Sequence, residues 1–305
     1  MLNYSKSPEF LIDMNYSIQN DHLKISVQET GAELCQIRST LTGADFLWNA
    51  DPNVWASHAP VLFPVIGAIK NGFVKYNGQE YAVPRHGIVR NNANVKLTTQ
   101  TPDSLTFTLI YSQETLAIYP FEFEFQITYR LDGKRIIVDH KVINHGSVEM
   151  LFSLGGHPAF KCPLHEGEVY EDYYLEFEAI ENDSTWILEK NGLVGNTTKP
   201  VLEHTNVLHL NSHLFDNDAL IFKHLISKQV SLRSTKSGQV ITVHYNDFPY
   251  LGVWAKPGGH FVCIEPWLGI ADNADSDQNF ETKEGILKLE AGGVFTASFT
   301  IEIYE

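Results

Sequence analysis

Residues 121–130 read Phe-Glu-Phe-Glu-Phe-Gln-Ile-Thr-Tyr-Arg, apolar at every odd position and polar at every even one. Successive side chains of an extended chain point to opposite faces, so this run has one face for a core and one for water. It predicts a half-buried antiparallel strand. Asp132-Gly133 follows as a hairpin turn signal, and the Ile- and Val-rich stretch 135–143 reads as the returning strand. Comparable β-rich runs recur at 23–27, 105–111, 174–179, 219–222, 240–244, 261–264 and 295–301, most of them separated by turn residues. Helical periodicity is confined to 112–119, a connector that ends before Pro120 because proline disfavours helix in the residue preceding it. Many strands, few short helices and no strand–helix rhythm predict an all-β chain, a large antiparallel sandwich.

Composition bounds what such a sandwich does. Hydrophobic residues make up 43% and charged residues 19% of the 305, enough apolar material for one large core, and no repeat, low-complexity tract or Pro/Gly/Ser linker marks a division. A single domain is expected over 14–305, with 1–13, which lack the alternation, as an N-terminal arm. Twenty-two Lys and Arg against 37 Asp and Glu give a formal charge of -15, which repels phosphate-rich polymers and offers nothing to an anionic membrane. Neither nucleic acid nor membrane is expected as a partner, although a local basic pocket for one small phosphate remains compatible with that balance. The N-terminus never reaches an apolar signal core, and no stretch approaches the ~18 apolar residues of a membrane helix. Cys35, Cys162 and Cys263 are widely spaced with no CxxC pair and read as reduced structural thiols. A cytoplasmic protein is expected.

Two segments place a proton-transfer residue in rigid, apolar surroundings. In Gly155-Gly156-His157-Pro158-Ala159-Phe160, the glycines let the backbone approach a neighbour closely and Pro158 fixes the φ that follows. In Cys263-Ile264-Glu265-Pro266-Trp267, a carboxylate emerges at the end of an apolar strand, where ionisation is costly without partners. Each has a plainer reading: a hydrogen-bonded loop histidine, and a structural ion pair. Trp267, with Trp254, offers an apolar face for a sugar ring, or belongs to the core. His86, between Arg85 and Arg90 in Pro84-Arg85-His86-Gly87-Ile88-Val89-Arg90, suits polar-ligand recognition or a simple turn. Two histidines and a glutamate also suit a transition metal, but no HxH or HExxH spacing supports one. No GxSxG, GxxxxGK[ST] or GxGxxG segment is present, and Gly258-Gly259-His260 reads as a hairpin loop.

Five ordered blocks together resemble the aldose 1-epimerase, or galactose mutarotase-like, family, most closely its LacX-like branch. They are Gly31-Ala32-Glu33-Leu34, residues 60–67, residues 85–90, residues 155–160, and Phe248-Pro249-Tyr250-Leu251-Gly252-Val253-Trp254 running on to 265–272. The resemblance implies a β-supersandwich with an open sugar cleft and no metal or organic cofactor. It makes Glu265 the general base, His157 the general acid, charged as imidazolium, and His86 a sugar-orienting residue. Asp218 falls where the family grips sugar hydroxyls, with Asp216 a neighbouring competitor. The expected activity is exchange of α and β anomers of a free aldose. The alternatives are epimerisation of a hexose 6-phosphate, with Arg85, Arg90 and Lys70 as a positive patch, and a non-catalytic sugar-binding or sensor protein. One departure stands out: where the branch usually carries arginine after Gly67, this chain has Ala68, and only Lys70 is close in sequence to replace its charge.

Overall fold

The computed structural model describes residues 14–304. The proposed arm, residues 1–13, lies outside them. The alternating run forms the Phe123–Asp132 strand, with Phe123, Phe125, Ile127, Tyr129 and Leu131 all buried. A two-residue loop with Gly133 at φ 57° returns the chain as Arg135–Asn144, Asp132 opposite Arg135. These two strands lie within a nine-stranded antiparallel sheet. Its flanks are Val294–Ile303 beside Arg135–Asn144 and Ser104–Ile110 beside Phe123–Asp132.

A second, six-stranded sheet faces it, built from Leu220–Phe222, Tyr250–Trp254, Phe261–Leu268, Leu154–Gly156 and Val61–Leu62, with Ala159–Lys161 also pairing to Phe261–Leu268. Aromatic rings join the layers: Phe63, just past Val61–Leu62, stacks on Phe125 of the large sheet at 4.8 Å between centroids. One buried hydrophobic cluster takes in strands of both sheets, from Ile18 to Ile303. Gly156 shows how close the approach is, since a Cβ there would lie 2.8 Å from the ring of Phe299 on the large sheet. Only glycine lets the segment carrying His157 settle on that ring.

Three elements differ from the sequence reading, each for a physical reason. The strand expected over 261–264 continues to Leu268, because Pro266 removes one ladder donor without preventing an extended backbone. The helix expected over 112–119 is only Gln113–Leu116: Ser112 caps it by accepting from the Thr115 amide, and the Thr115 carbonyl accepts from both Ile118 and Tyr119, tightening the last turn. Tyr119 is then drawn into the core, its hydroxyl donating to the Leu151 carbonyl. The run expected over 174–179 is the start of Tyr173–Leu188, a 16-residue strand paired with Val194–His209 through several register shifts. Exposure of much of this ribbon and its bulges erase the period-two pattern that marks half-buried strands.

His140, in Arg135–Asn144, is 1% exposed and sits among the rings of Phe125, Phe248 and Phe299 beneath the Gly156 contact. Neither ring nitrogen makes a hydrogen bond of good geometry. Burial pushes its pKa down to about 4, an effect that the nearby Ala297 backbone offsets only in part. The unfolded chain takes up a proton near pH 6.5 and the folded one does not, so this contribution is intact above 6.5 and is lost as pH falls toward 4. Over that window it amounts to roughly 3 kcal/mol. Denaturant unfolding at pH 7 and pH 4.5 is expected to show His140→Leu losing about 2 kcal/mol less on acidification than the wild type. Equal losses in the two proteins would contradict the assignment.

Candidate active site

All eight residues of Phe261–Leu268 are buried, and Glu265 lies in mid-strand rather than at its end. Along the strand Phe261, Cys263, Glu265 and Trp267 share one face by the two-residue repeat, and Glu265 and Trp267 line a cleft of about 350 Å³. Gly252 pairs with Glu265 across the ladder. A Cβ at Gly252 would fall 2.4 Å from the Trp267 indole, so the missing side chain is what lets that ring lie where it does.

His157 follows Leu154–Gly156 directly. Its amide donates to the Pro60 carbonyl at 3.0 Å, and the Pro158 carbonyl accepts from Ile264 at 3.2 Å, so the histidine is tied to the strand that carries Glu265. A Cβ on Gly155 would meet the Pro266 carbonyl at 2.7 Å, which keeps the two segments in close register. The result is His157 Nε2 3.3 Å from Glu265 Oε2, with both residues buried. The two atoms are close enough to be an ion pair but are not aligned as a hydrogen bond, and the carboxylate oxygen has no other partner.

Trp55 stacks on the His157 imidazole at 5.1 Å and 27°, and Trp254 meets it edge-on at 5.9 Å. His86 adds a third wall, its ring 5.7 Å from that of His157. It holds the left-handed backbone, φ 66°, rare for a residue with a side chain. Its amide donates to Gly67, and the Gly67 amide donates back to Nδ1 at 3.3 Å. Because Nδ1 accepts, the proton of neutral His86 resides on Nε2. Arg85 Nε, 3.4 Å from Nε2, is then a close neighbour and not a donor to it.

Asp218 lines the cleft, in the left-handed region at φ 77° with Oδ1 accepting from the Ala219 amide at 2.8 Å. Its competitor Asp216 is exposed and bonds His213 at 2.9 Å. Arg90 also lines the cleft, its Nη2 donating to Ser57 at 3.2 Å. Lys70 does not belong to the lining: its ammonium donates to the Ser276 carbonyl at 2.6 Å, so the charge expected to replace the family's arginine is used on backbone. Ala68 is likewise absent from the lining. Arg85, Lys256, Val54, Trp55 and Gly192, by contrast, do line the cleft. Trp55 and Gly192 had no motif to mark them, whereas Arg85 was already visible as a flank of His86.

Burial dominates the electrostatics. It pushes Glu265 well above the usual carboxylate range, against the pull of the Trp267 indole N–H, which faces the carboxylate without reaching hydrogen-bond geometry. It pushes His157 down to about 3, helped by the Arg90 charge, and His86 well down as well. The imidazolium expected from the sequence is therefore not the resting form. A protonated glutamic acid beside a neutral imidazole holds the same single proton as a carboxylate beside an imidazolium, and only the former avoids two buried charges. Four buried polar atoms among the cleft residues, Glu265 Oε2, His157 Nδ1, Trp267 Nε1 and Arg90 Nε, lack hydrogen-bond partners. Such unsatisfied groups suit a ligand rich in hydroxyls.

Among the described residues, His157, Cys263 and Glu265 form a group with metal-type ligand atoms within 4.8 Å of one another. Burial pushes the Cys263 thiol well up, so it would have to lose a tightly held proton before ligating. An adjoining cavity of about 310 Å³ shares Lys256 with the cleft, but the hydroxyls of Tyr173 and Ser234 already occupy its Glu168 carboxylate.

The structure is a two-layer β-sandwich with a buried histidine–glutamate pair in the lining of an open cleft. Residues 14–279 match the family model for aldose 1-epimerase, and the chain belongs to that family, whose ligands are small carbohydrates. It is 35% identical over 285 residues to Protein LacX, plasmid, of Lactococcus lactis subsp. lactis, covering 90% of this chain and 95% of that one. Among solved structures it is similar to a galactose mutarotase related enzyme from Lactobacillus acidophilus, with TM-score 0.91, 35% identity, and 96% and 98% of the two chains covered. It is also similar to a galactose mutarotase-like protein from Lactobacillus casei, with TM-score 0.90, 27% identity, and 95% and 100% covered.

The Gly252 contact can be tested on its own. Gly252→Ala is expected to displace the Trp267 indole, shifting its fluorescence and weakening sugar binding at least tenfold, with a stability cost of about 1–3 kcal/mol. Unchanged fluorescence and affinity would show that the ring does not depend on the missing side chain.

Proposed function

We propose that this protein is an aldose 1-epimerase that exchanges the α and β anomers of an aldose through its open-chain aldehyde. The observation that carries the reading is the buried His157–Glu265 pair, 3.3 Å apart and open to the cleft. Sugar hydroxyls entering the cleft supply hydrogen bonds to both groups and offset the cost of charge, so the shared proton moves from Glu265 to His157. Glu265 then removes the C1 hydroxyl proton as the C1=O double bond forms. The C1–O5 bond breaks, and O5 takes the proton from the imidazolium. Rotation about C1–C2 presents the other carbonyl face, and the same two transfers run backwards to close the ring. His86, Asp218 and Arg90 hold hydroxyls, and the Trp267 ring supplies an apolar wall for the sugar.

Ala68 in place of the family's arginine is the feature of the sequence that favours the alternative, a sugar-binding protein without turnover. Arg85 and Arg90 both line the cleft, which weakens that argument. We also place the protein in the cytoplasm. The buried thiols of Cys162 and Cys263 suit a reducing compartment, and no helix among the described residues is long and apolar enough to cross a membrane.

Polarimetry on freshly dissolved aldoses tests the assignment. Glu265→Gln and His157→Asn are each expected to slow catalysed anomer exchange at least about a hundredfold, with thermal midpoints equal to or above the wild type's since a costly buried group is removed. Wild-type protein that binds aldoses saturably yet leaves anomer exchange at the solution rate would be a sugar-binding protein.

A further inference from the structure

With 13 histidines and 37 acidic side chains the chain holds many potential metal ligands, yet among the described residues only His157, Cys263 and Glu265 gather three ligand atoms within 4.8 Å of one another. The sheet brings them together. Cys263 and Glu265 stand two residues apart on one face of Phe261–Leu268, and Ala159, two residues after His157, pairs with Cys263 across the ladder. His157 and Glu265 line the cleft and Cys263 does not, so the fully buried thiol lies behind the pair.

The spacing suits a tetrahedral ion. Zinc takes sulfur at about 2.3 Å and imidazole nitrogen or carboxylate oxygen at about 2.0–2.2 Å, which sets neighbouring ligands about 3.3–3.6 Å apart. His157 Nε2 and Glu265 Oε2 already lie 3.3 Å apart. No pair among the three has to close by more than about 1.5 Å. A donor set of sulfur, nitrogen and oxygen favours a zinc-type divalent ion over magnesium or calcium, which take oxygen. Its fourth position faces the cleft, open to water or a sugar hydroxyl.

Charge argues the same way. At rest the three groups are a carboxylic acid, a thiol and a neutral imidazole, and carry no charge. A divalent ion displaces one proton from Glu265 and one from Cys263, both passing to solvent, and leaves an assembly that is again neutral. The burial that penalises a lone carboxylate or thiolate therefore does not penalise the complex. The guanidiniums of Arg85 and Arg90, which line the same cleft and would repel an isolated cation, meet no net charge either. Resident metal sites brace the far nitrogen of a ligating histidine, whereas His157 Nδ1 has no hydrogen-bond partner. Binding is accordingly weaker than that of a structural ion and reversible by chelators.

We propose that His157, Cys263 and Glu265 form a reversible inhibitory site for a zinc-type divalent ion, which occupies the proposed acid and base at once. The site itself does not depend on the epimerase reading; the inhibition does.

Cobalt and zinc dications, each added alone to the wild-type protein, are the probes. Cobalt is expected to bind at one equivalent with a near-ultraviolet thiolate-to-cobalt charge-transfer band. Zinc is expected to displace it and to slow anomer exchange until EDTA restores the rate, and X-ray absorption at the zinc edge to show one sulfur ligand. Cys263→Ala is expected to lose the band and to raise the zinc concentration for half-inhibition at least about tenfold, while Cys162→Ala, which alters the other buried thiol, keeps both. Zinc held by nitrogen and oxygen alone in the wild type, or a band that survives Cys263→Ala, overturns the site. The wild-type spectra decide it even if Cys263→Ala fails to fold. Sulfur-bound zinc that leaves catalysed exchange at its full rate overturns the inhibition. Cobalt bound through sulfur by a protein that turns over no aldose upholds the site while the epimerase reading fails.

Discussion

The contact between His157 and Glu265 is where the demands of the fold and of the chemistry meet. A carboxyl group and an imidazole lie 3.3 Å apart at the six-stranded sheet, both buried. Burial that deep disfavours charge on each, so the pair rests as one proton shared between two neutral groups. A pair in that state is poised: a polar ligand that hydrogen-bonds to both groups lowers the cost of separating charge, and the proton can cross. The unpartnered atoms around it mark the sites that such a ligand would satisfy.

Holding the pair there depends on close backbone approach more than on side-chain contacts. Gly156 lets the histidine segment rest on Phe299, Gly155 brings it against the Pro266 carbonyl, and Gly252 clears space for the Trp267 indole beside Glu265. These glycines lie on two strands of the second sheet, Leu154–Gly156 and Tyr250–Trp254, which flank Phe261–Leu268 on either side. The large sheet supports them from behind through Phe299 and the rings around His140. Side chains at these glycines would not merely loosen the packing; they would move the proposed reacting groups, and displacements of an ångström are enough to cost catalytic geometry.

Much of this was legible in the sequence where local pattern reports local structure. The alternation at 121–130 gave the strand, its hairpin and the buried face, because half-burial imposes a period of two. The glycine-flanked His157 and the carboxylate among apolar residues marked the pair. What escaped were consequences of distant contacts. Pro266 suggested that the strand ended at Ile264, but an extended backbone tolerates a proline that has lost only one donor. Lys70 lies three residues after Gly67 in sequence, yet its ammonium is captured by the Ser276 carbonyl. Trp55 and Gly192 come from loops with no periodicity. The protonation of the pair follows from depth of burial, which no residue spacing encodes.

The most direct test of the account is the nitrogen-15 chemical shift of the His157 imidazole, assigned by comparison with His157→Asn, across pH 5 to 8 with and without a saturating aldose. A neutral ring is expected throughout that range in the free protein, and an imidazolium signature when the sugar is bound. An imidazolium at pH 7 in the free protein, or a ring that stays neutral with sugar in the cleft, would contradict it.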